Sequence, residues 1–390
     1  MKKWLCILLL LLPLTAWAEP ARDVTAEAEI AVAGRDTDLP LLWDGKWASG
    51  ITAPGNMDQY VWITPGREPV AAVYIEFGRH TSAVQAEAFD GYAWRALAPW
   101  TDASMGQVLL RLPAQSGMFR LHFRPQKDGD MLYLRELHAF TAGELEDAPV
   151  RDWLPPAEKA DILFVVAHPD DELLWFGGAI PSCVNAGRTV QVVYLTCNRV
   201  ERRQELLCGL WHCGVRHYPH INQWEDTKDT YLDALWRWGQ REKAVGALAD
   251  ILRRYRPEVV VTHGVKGESG HIQHILCSEL VQEAVKAAAE PSELPAWQVR
   301  KLYLHGGDEP TLRMDWSLPL ANLGGKDGLT LAREAFELHA SQDHRRYHVQ
   351  EPGEKNDSTL FTLVATTVGE DAVGGNLFEN IPSENLLQTP

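Results

Sequence analysis

Asp161-Ile-Leu-Phe-Val-Val-Ala-His-Pro-Asp-Asp-Glu172 decides the fold of the second half of this 390-residue chain. Six mostly apolar residues run straight into His168, Asp170 and Asp171. That order predicts a buried strand ending in a tight turn, with an imidazole and two carboxylates at the strand's carboxyl end. Ligands of open α/β sheets bind at that edge. A His and an Asp three residues apart can grip one metal ion, and the spare carboxylate can act as a base on water. Alone, the turn reads more readily as a loop with capping Asp residues than as a metal site, which needs a third ligand from elsewhere.

Gly270-His-Ile-Gln-His274 supplies a candidate. It follows the apolar run 259–262 and a short Gly-rich loop. A helix starting here would put His271 and His274 one turn apart on the same face. Adjacent parallel strands bring this loop beside the first turn, gathering His168, Asp171 and His274 around one ion and leaving Asp170 and His271 unspent. Two His, one carboxylate and open positions form a catalytic zinc arrangement, whereas a structural site is closed by four protein ligands. A lone His-x-x-His is weak among 14 His; the two motifs, each after an apolar strand, together favour a metal.

Around these motifs the second half alternates strand and helix. Strands are expected at 162–166, 190–195, 259–262, 302–304 and 359–366, and helices at 173–186, 201–212, 235–255, 271–288 and 329–338. Gly187 and Gly214 stand where helix C-caps belong. The alternation predicts a Rossmann-like, mostly parallel sheet with helices on both faces. Before residue 150 the pattern differs. Short runs at 70–77, 83–89, 108–112, 119–123 and 132–140 are separated by Pro65-Gly66, Asp90-Gly91, Ser116-Gly117 and Lys127-Asp128-Gly129. This is the signature of an all-β antiparallel sandwich. Residues 146–158, with three Pro, read as a linker.

Residues 1–18 read as a signal peptide: Lys2-Lys3, an apolar stretch from Leu5 to Leu12, and Ala16-Trp17-Ala18 as a cleavage site. The chain is therefore expected to be exported, and its apolar stretch is too short to span a bilayer. The net charge of −16, or −18 without Lys2 and Lys3, argues against nucleic acid and anionic membrane surfaces as partners. The five Cys after residue 18 are an odd number, without paired Cys-x-x-Cys spacing. Most read as small buried apolar residues, and one disulfide can form but is not required. The sequence does not address oligomeric state.

The second half resembles the PIG-L (LmbE-like) family of zinc-dependent N-deacetylases, from about residue 160 to 379. Its signature pairs Ala167-His-Pro-Asp-Asp-Glu172 with Gly270-His-Ile-Gln-His274; Arg202-Arg-Gln-Glu-Leu206, Val259-Val-Val-Thr262 and His339-Ala-Ser-Gln342 also fit. The resemblance implies a Zn2+ cofactor held by His168, Asp171 and His274, with Asp170 as general base and a protonated His271 as electrophilic partner. It also implies that Arg202, and less securely Asp226, contact substrate. Without it, Arg202 reads as a surface residue pairing with Glu205, and Trp175 and Trp224 as core or sugar-stacking residues. His263 reads as a pocket or core residue, or as an extra ligand. Ser269 and Cys197-Asn198 depart from the family pattern where substrate is expected.

Residues 22–145 resemble discoidin-like (coagulation factor type C, galactose-binding-like) jelly rolls through Leu42-Trp-Asp-Gly45, Val73-Tyr-Ile-Glu-Phe77, Ala88-Phe-Asp-Gly-Tyr-Ala-Trp94 and Leu132-Tyr-Leu-Arg-Glu-Leu137. The resemblance implies a β-sandwich that either binds carbohydrate or only packs against its neighbour, ahead of a deacetylase domain at 159–390. The expected function is removal of an N-acetyl group from an amino sugar in a cell-envelope or extracellular glycan. The alternatives are a zinc amidase acting on N-acyl amino acids or peptide-derived ligands, and an inactive glycan-binding protein.

Overall fold

The computed structural model describes residues 19–33, 38–47, 49–54, 59–78, 81–127, 129–145, 150–227 and 230–387. The expected signal peptide and the first residues of the expected linker lie outside the described residues. The chain divides into two compact units, residues 1–151 and 152–390.

The first unit is all β: β1 (Glu29–Val32), β2 (Ile51–Ala53), β3 (Tyr60–Thr64), β4 (Val70–Phe77), β5 (Thr81–Phe89), β6 (Trp94–Ala96), β7 (Thr101–Asp102), β8 (Gln107–Gln115), β9 (Phe119–Pro125) and β10 (Leu132–Phe140). One antiparallel sheet runs β1-β3-β9-β5-β6 with β7 on β5, the other β2-β10-β4-β8. Alternation explains the sandwich. Along β3 and β9, Val61, Ile63, Phe119, Leu121 and Phe123 are buried while Tyr60, Trp62, Arg120 and His122 between them are less so. Apolar residues of both sheets share one core. The runs at β1, β2, β3 and β6 were too short or too mixed to register as strands in the sequence.

The second unit contains β11 (Ile162–Val166), α1 (Asp171–Leu174), α2 (Ala179–Asn185), β12 (Val190–Thr196), α3 (Val200–His212), β13 (His220–Trp224), α4 (Tyr231–Arg237), α5 (Arg241–Tyr255), β14 (Val259–Thr262), α6 (Ile272–Ala288), β15 (Lys301–His305), β16 (Leu312–Arg313), α7 (Gly328–Phe336) and β17 (Leu360–Thr366). The sheet order is β13-β12-β11-β14-β15-β17-β16. The first five strands are parallel and the last two antiparallel. β11, β12 and β14 are buried at every position, as strands covered on both faces must be. One face, through Leu163, Val165, Val193 and Val260, packs on α4, α5 and α6. On the other, Phe164 meets Phe176, which stacks on Phe361.

Two expected helices are each interrupted. The 173–186 helix is interrupted between α1 and α2, where Gly177 and Gly178 lie against Ala332 and the indole of Trp316 with no room for a Cβ. The 235–255 helix breaks between α4 and α5, where Gly239 and Gln240 take positive φ of 89° and 69°. Gly187 and Gly214, at φ of 69° and 84°, end α2 and α3 as their positions suggest. β13 was not foreseen, since His220-Ile-Asn-Gln-Trp224 has no apolar period. Trp153, inside the expected linker, is buried against Trp211 and Tyr218 of the second unit. No disulfide forms among the described residues, and no described helix is long and apolar enough to cross a membrane.

In the first unit, His138 lies between two carboxylates, with Nδ1 2.8 Å from Asp23 and Nε2 3.3 Å from Glu136. Burial opposes its charge, but hydrogen bonds to Asp23 and Glu136 outweigh burial and lift its pKa to about 9. A pKa raised by folding adds stability in full below the unfolded value, about 6.5, and loses it as pH rises through the folded one. His138→Gln is therefore expected to lower Tm by several degrees at pH 6, with a gap that narrows as pH rises above about 6.5 and has largely closed above pH 9. A gap constant from pH 6 to 10 in thermal melts would rule out a charged His138.

Candidate functional site

The site forms where β11, β12 and β14 end together. Ala167, one residue past β11, is clamped from both sides. Its carbonyl accepts from the Thr196 amide at 2.9 Å and hydroxyl at 2.8 Å, and its N–H donates to His263 Nε2 at 3.0 Å. Because Ala167 is fixed, the chain turns sharply over the next four residues. The His168 N–H donates to Asp171 Oδ2 at 2.7 Å. Asp170 takes φ 104° and ψ −28°, a costly conformation for a residue other than Gly, and its N–H is held by Glu172 at 2.8 Å. Asp170 and Asp171 thus point different ways, although they are neighbours.

His168, Asp171 and His274 converge. His168 Nδ1 is 3.2 Å from Asp171 Oδ2 and 3.2 Å from His274 Nε2, and that nitrogen is 3.1 Å from Asp171 Oδ1. Tetrahedral ligands bonded at about 2.0–2.1 Å lie roughly 3.3–3.4 Å apart, so the three groups are spaced to hold one metal ion. The surroundings point the correct nitrogens inward. His168 Nε2 is 2.7 Å from Gln273 Oε1, an acceptor, so it carries the proton and Nδ1 is the free donor. His274 Nδ1 is 2.7 Å from Glu268 Oε2, which leaves Nε2 free in the same way. Trp175 donates its indole N–H to Asp171 Oδ1 at 3.1 Å. Burial works against charge on Asp171, yet His274, His168 and His263 hold its pKa well below the usual range.

Two other groupings share His274: His168 with His271, and Asp171 with His263. His263 is less suited to be a ligand, because the Ala167 N–H points at its Nε2 and Glu268 takes its Nδ1 at 2.7 Å. His271 is not the second rung of a helical face. It is the N-cap of α6, at φ −68° and ψ 123°, with its ring centre 4.6 Å from that of His274 and 4.8 Å from that of His168. Burial and the imidazoles of His168 and His274 depress its pKa to about 4. This shift opposes the protonated state expected of His271, and a metal cation nearby would press the same way. It can still offer one ring N–H.

Asp170 stands apart from the ligand triangle. Arg202 Nη2 is 2.9 Å from its Oδ1, and Gln342, with its amide nitrogen facing the carboxylate, donates to Oδ2 at 3.0 Å. Burial raises the Asp170 carboxyl to about 7, against the pull of Arg202 and with the push of Asp171. Arg202 therefore does not pair with Glu205, which instead accepts from Ser341. Asp226 is less intimate, 3.7 Å from His168 Nε2 with a side chain 43% exposed. Pro169, Thr196, Arg202 and Asp226 line a cavity of about 110 Å³ beside the triangle. Trp175 and Trp224 have structural partners: Trp175 braces Asp171, and Trp224 stacks on Trp238 with centroids 5.2 Å apart.

Sequence reasoning missed Glu268, Gln273, His305 and Gln342. Glu268 is fully enclosed and accepts from Nδ1 of His263 (2.7 Å), His274 (2.7 Å) and His305 (2.8 Å), and from the Gly264 N–H at 3.2 Å. Its place three residues before His271 was the available signal, but nothing in the sequence linked it to His305 on another strand. Carboxylates behind ligand imidazoles typically set metal affinity by about 10–100-fold. Glu268→Ala is expected to weaken metal binding by that factor in a chelator competition, with Glu268→Gln falling between. Wild-type affinity in a folded Glu268→Ala protein would show that the carboxylate does not orient His274.

Comparison with known proteins agrees with the geometry. The PIG-L family, described as GlcNAc-PI de-N-acetylase, matches residues 163–285. A 1D-myo-inositol 2-acetamido-2-deoxy-alpha-D-glucopyranoside deacetylase from Segniliparus rotundus is 33% identical over 210 residues, 43% of this chain and 64% of that protein. The corresponding Mycolicibacterium smegmatis enzyme is 32% identical over 37% of this chain and 59% of its own length. The chain thus spans slightly less than two thirds of these relatives. Among solved structures, the N,N'-diacetylchitobiose deacetylase of Pyrococcus horikoshii matches 47% of this chain and 71% of its own at 20% identity and a TM-score of 0.38. The strand order and the two motifs at one sheet edge lie within the region, residues 163–285, that matches the PIG-L family.

Proposed function

We propose that this chain is an exported, zinc-dependent hydrolase that removes an N-acetyl group from an amino sugar, in a cell-envelope or extracellular glycan. The observation that carries the reading is the division of labour in one turn. Asp171 closes a ligand triangle with His168 and His274, while Asp170, held off by its positive φ, faces Arg202 and Gln342 beside it. A site built only to store a metal would leave no carboxylate free. The donor set of two imidazoles and one carboxylate suits zinc with open positions. The deacetylase names of the relatives support the acetamide as substrate group.

When bound, the ion would supply Lewis acidity, polarising the amide carbonyl and making water a better nucleophile. The protein's own groups do the rest. Asp170, with its pKa near 7, can take the proton from the attacking water and later return one. Arg202 and Gln342 fix which of its oxygens faces the reaction. His271 offers a ring N–H to the developing oxyanion, a contribution of about 10²–10³ for one such donor. Its neutrality keeps it a donor from one nitrogen only, so the proton for the leaving amine is assigned to Asp170. In the first unit, Tyr92 at the β5–β6 turn is 95% exposed, while Trp94 is covered by Phe89 and Arg120. We assign glycan holding by this discoidin-like sandwich to the same proposal.

The test is acetate release from N-acetylglucosamine oligomers and envelope polysaccharides, with N-acyl amino acids alongside. Asp170→Asn is expected to lower the rate by about 10²–10⁴ while still binding metal. Chelation should abolish activity and zinc restore it. Release from N-acyl amino acids alone would favour the amidase reading, and an Asp170→Asn enzyme at the wild-type rate would remove Asp170 from its role.

A further inference from the structure

The small cavity beside the ligand triangle does not end there. Cys197, Asn198 and Arg199 form a wall it shares with a larger cavity of about 340 Å³, whose other lining includes Arg203, Tyr218, Ile221 and Gln223. The wall is rigid at Asn198. With its amide turned to suit its neighbours, that side chain donates to Trp224 O at 3.0 Å and accepts from the Asp226 N–H at 2.8 Å.

The charge of this cavity is opposite to that of the protein. The chain carries −16, yet no carboxylate lines the larger cavity and two guanidinium groups do. Arg203 is anchored by Tyr218, whose hydroxyl accepts from Nε at 2.9 Å and Nη2 at 2.5 Å. Arg199 is exposed and forms no ion pair among the described residues. Arg202, one turn of α3 from Arg199, instead lies 2.9 Å from Asp170 Oδ1. A row of three arginines therefore divides its work. One serves the base, and the two flanking it face a polar cavity leading away from the reacting centre.

We propose that this cavity is a subsite for an anionic group on the glycan, bound next to the acetamide that is cleaved. The proposal rests on the deacetylase reading and narrows it: the substrate is an acidic glycan, bearing carboxylate or phosphate, and not a neutral polymer of N-acetylglucosamine. Planar guanidinium forks bind both oxyanions through paired N–H donors. The tyrosine holds the Arg203 plane in place, so little freedom is lost on binding.

Three probes separate the outcomes: a neutral N-acetylglucosamine disaccharide, the same disaccharide with a uronate as its second residue, and one with a phosphate monoester there. The wild type is expected to favour at least one anionic probe by about tenfold in kcat/KM, a preference that shrinks as salt rises. In Arg199→Ala that preference should collapse toward one, and the uronate and phosphate arms show which anion is taken. Calorimetric binding of the same probes is measured in parallel, because it does not depend on turnover. Anion-selective, Arg199-dependent binding without hydrolysis would keep the subsite and overturn the deacetylase. Acetate release with no anion preference, or with equal losses on all probes in Arg199→Ala, would keep the deacetylase and overturn the subsite.

Discussion

Two buried carboxylates set the terms for the functional end of the second unit. Asp171 and Glu268 are 3% and 4% exposed, and a carboxylate withdrawn from water is tolerated only when donors or cations surround it. The fold supplies imidazoles. Three meet Glu268, and His168, His263 and His274 gather near Asp171. The second nitrogens sort the imidazoles, with His305 Nε2 buried and without a hydrogen-bond partner among the described residues. Gln273 takes one from His168, Ala167 one from His263, and what remains inward is one nitrogen each from His168 and His274. Two inward lone pairs beside a carboxylate repel one another without a cation among them. The metal site follows from satisfying hydrogen bonds around buried acids.

The parallel sheet makes this possible because its strands end in register. β11 and β14 pair from Ile162 with Val259 to Val165 with Thr262, and β12 pairs alongside from Val190 to Tyr194. Thr196, the last residue of β12, and His263 therefore meet Ala167 at the sheet's carboxyl edge. A shift by one residue would turn Ala167 away from both clamps. The strained Asp170 is affordable there, since the rigid strands on either side hold the turn in place.

Much of this was legible in the sequence because the information was local. Ile162-Leu-Phe-Val-Val166 and Val259-Val-Val-Thr262 are apolar without alternation, as two-sided strands require, and the motifs follow them directly. The ligand triangle needed only the inference that these strands are neighbours. What was not legible depends on residues far apart in the chain. The break between α1 and α2 falls where Trp316 packs on Gly178. The convergence of His305 on Glu268 requires β15 to lie next to β14, and Gln342 reaches Asp170 from beyond α7. The neutral state of His271 was missed for a related reason: its pKa is set by imidazoles from two separate segments. The sequence showed the residues but not the crowding.

The central claim is that one metal ion sits among His168, Asp171 and His274, with Asp170 outside its coordination shell. Anomalous diffraction from a zinc-loaded crystal, recorded on both sides of the zinc absorption edge, tests it most directly. The account predicts a single strong peak about 2.0–2.2 Å from His168 Nδ1, His274 Nε2 and an Asp171 oxygen. A peak coordinated by His263 in place of His168, or by Asp170, would contradict it.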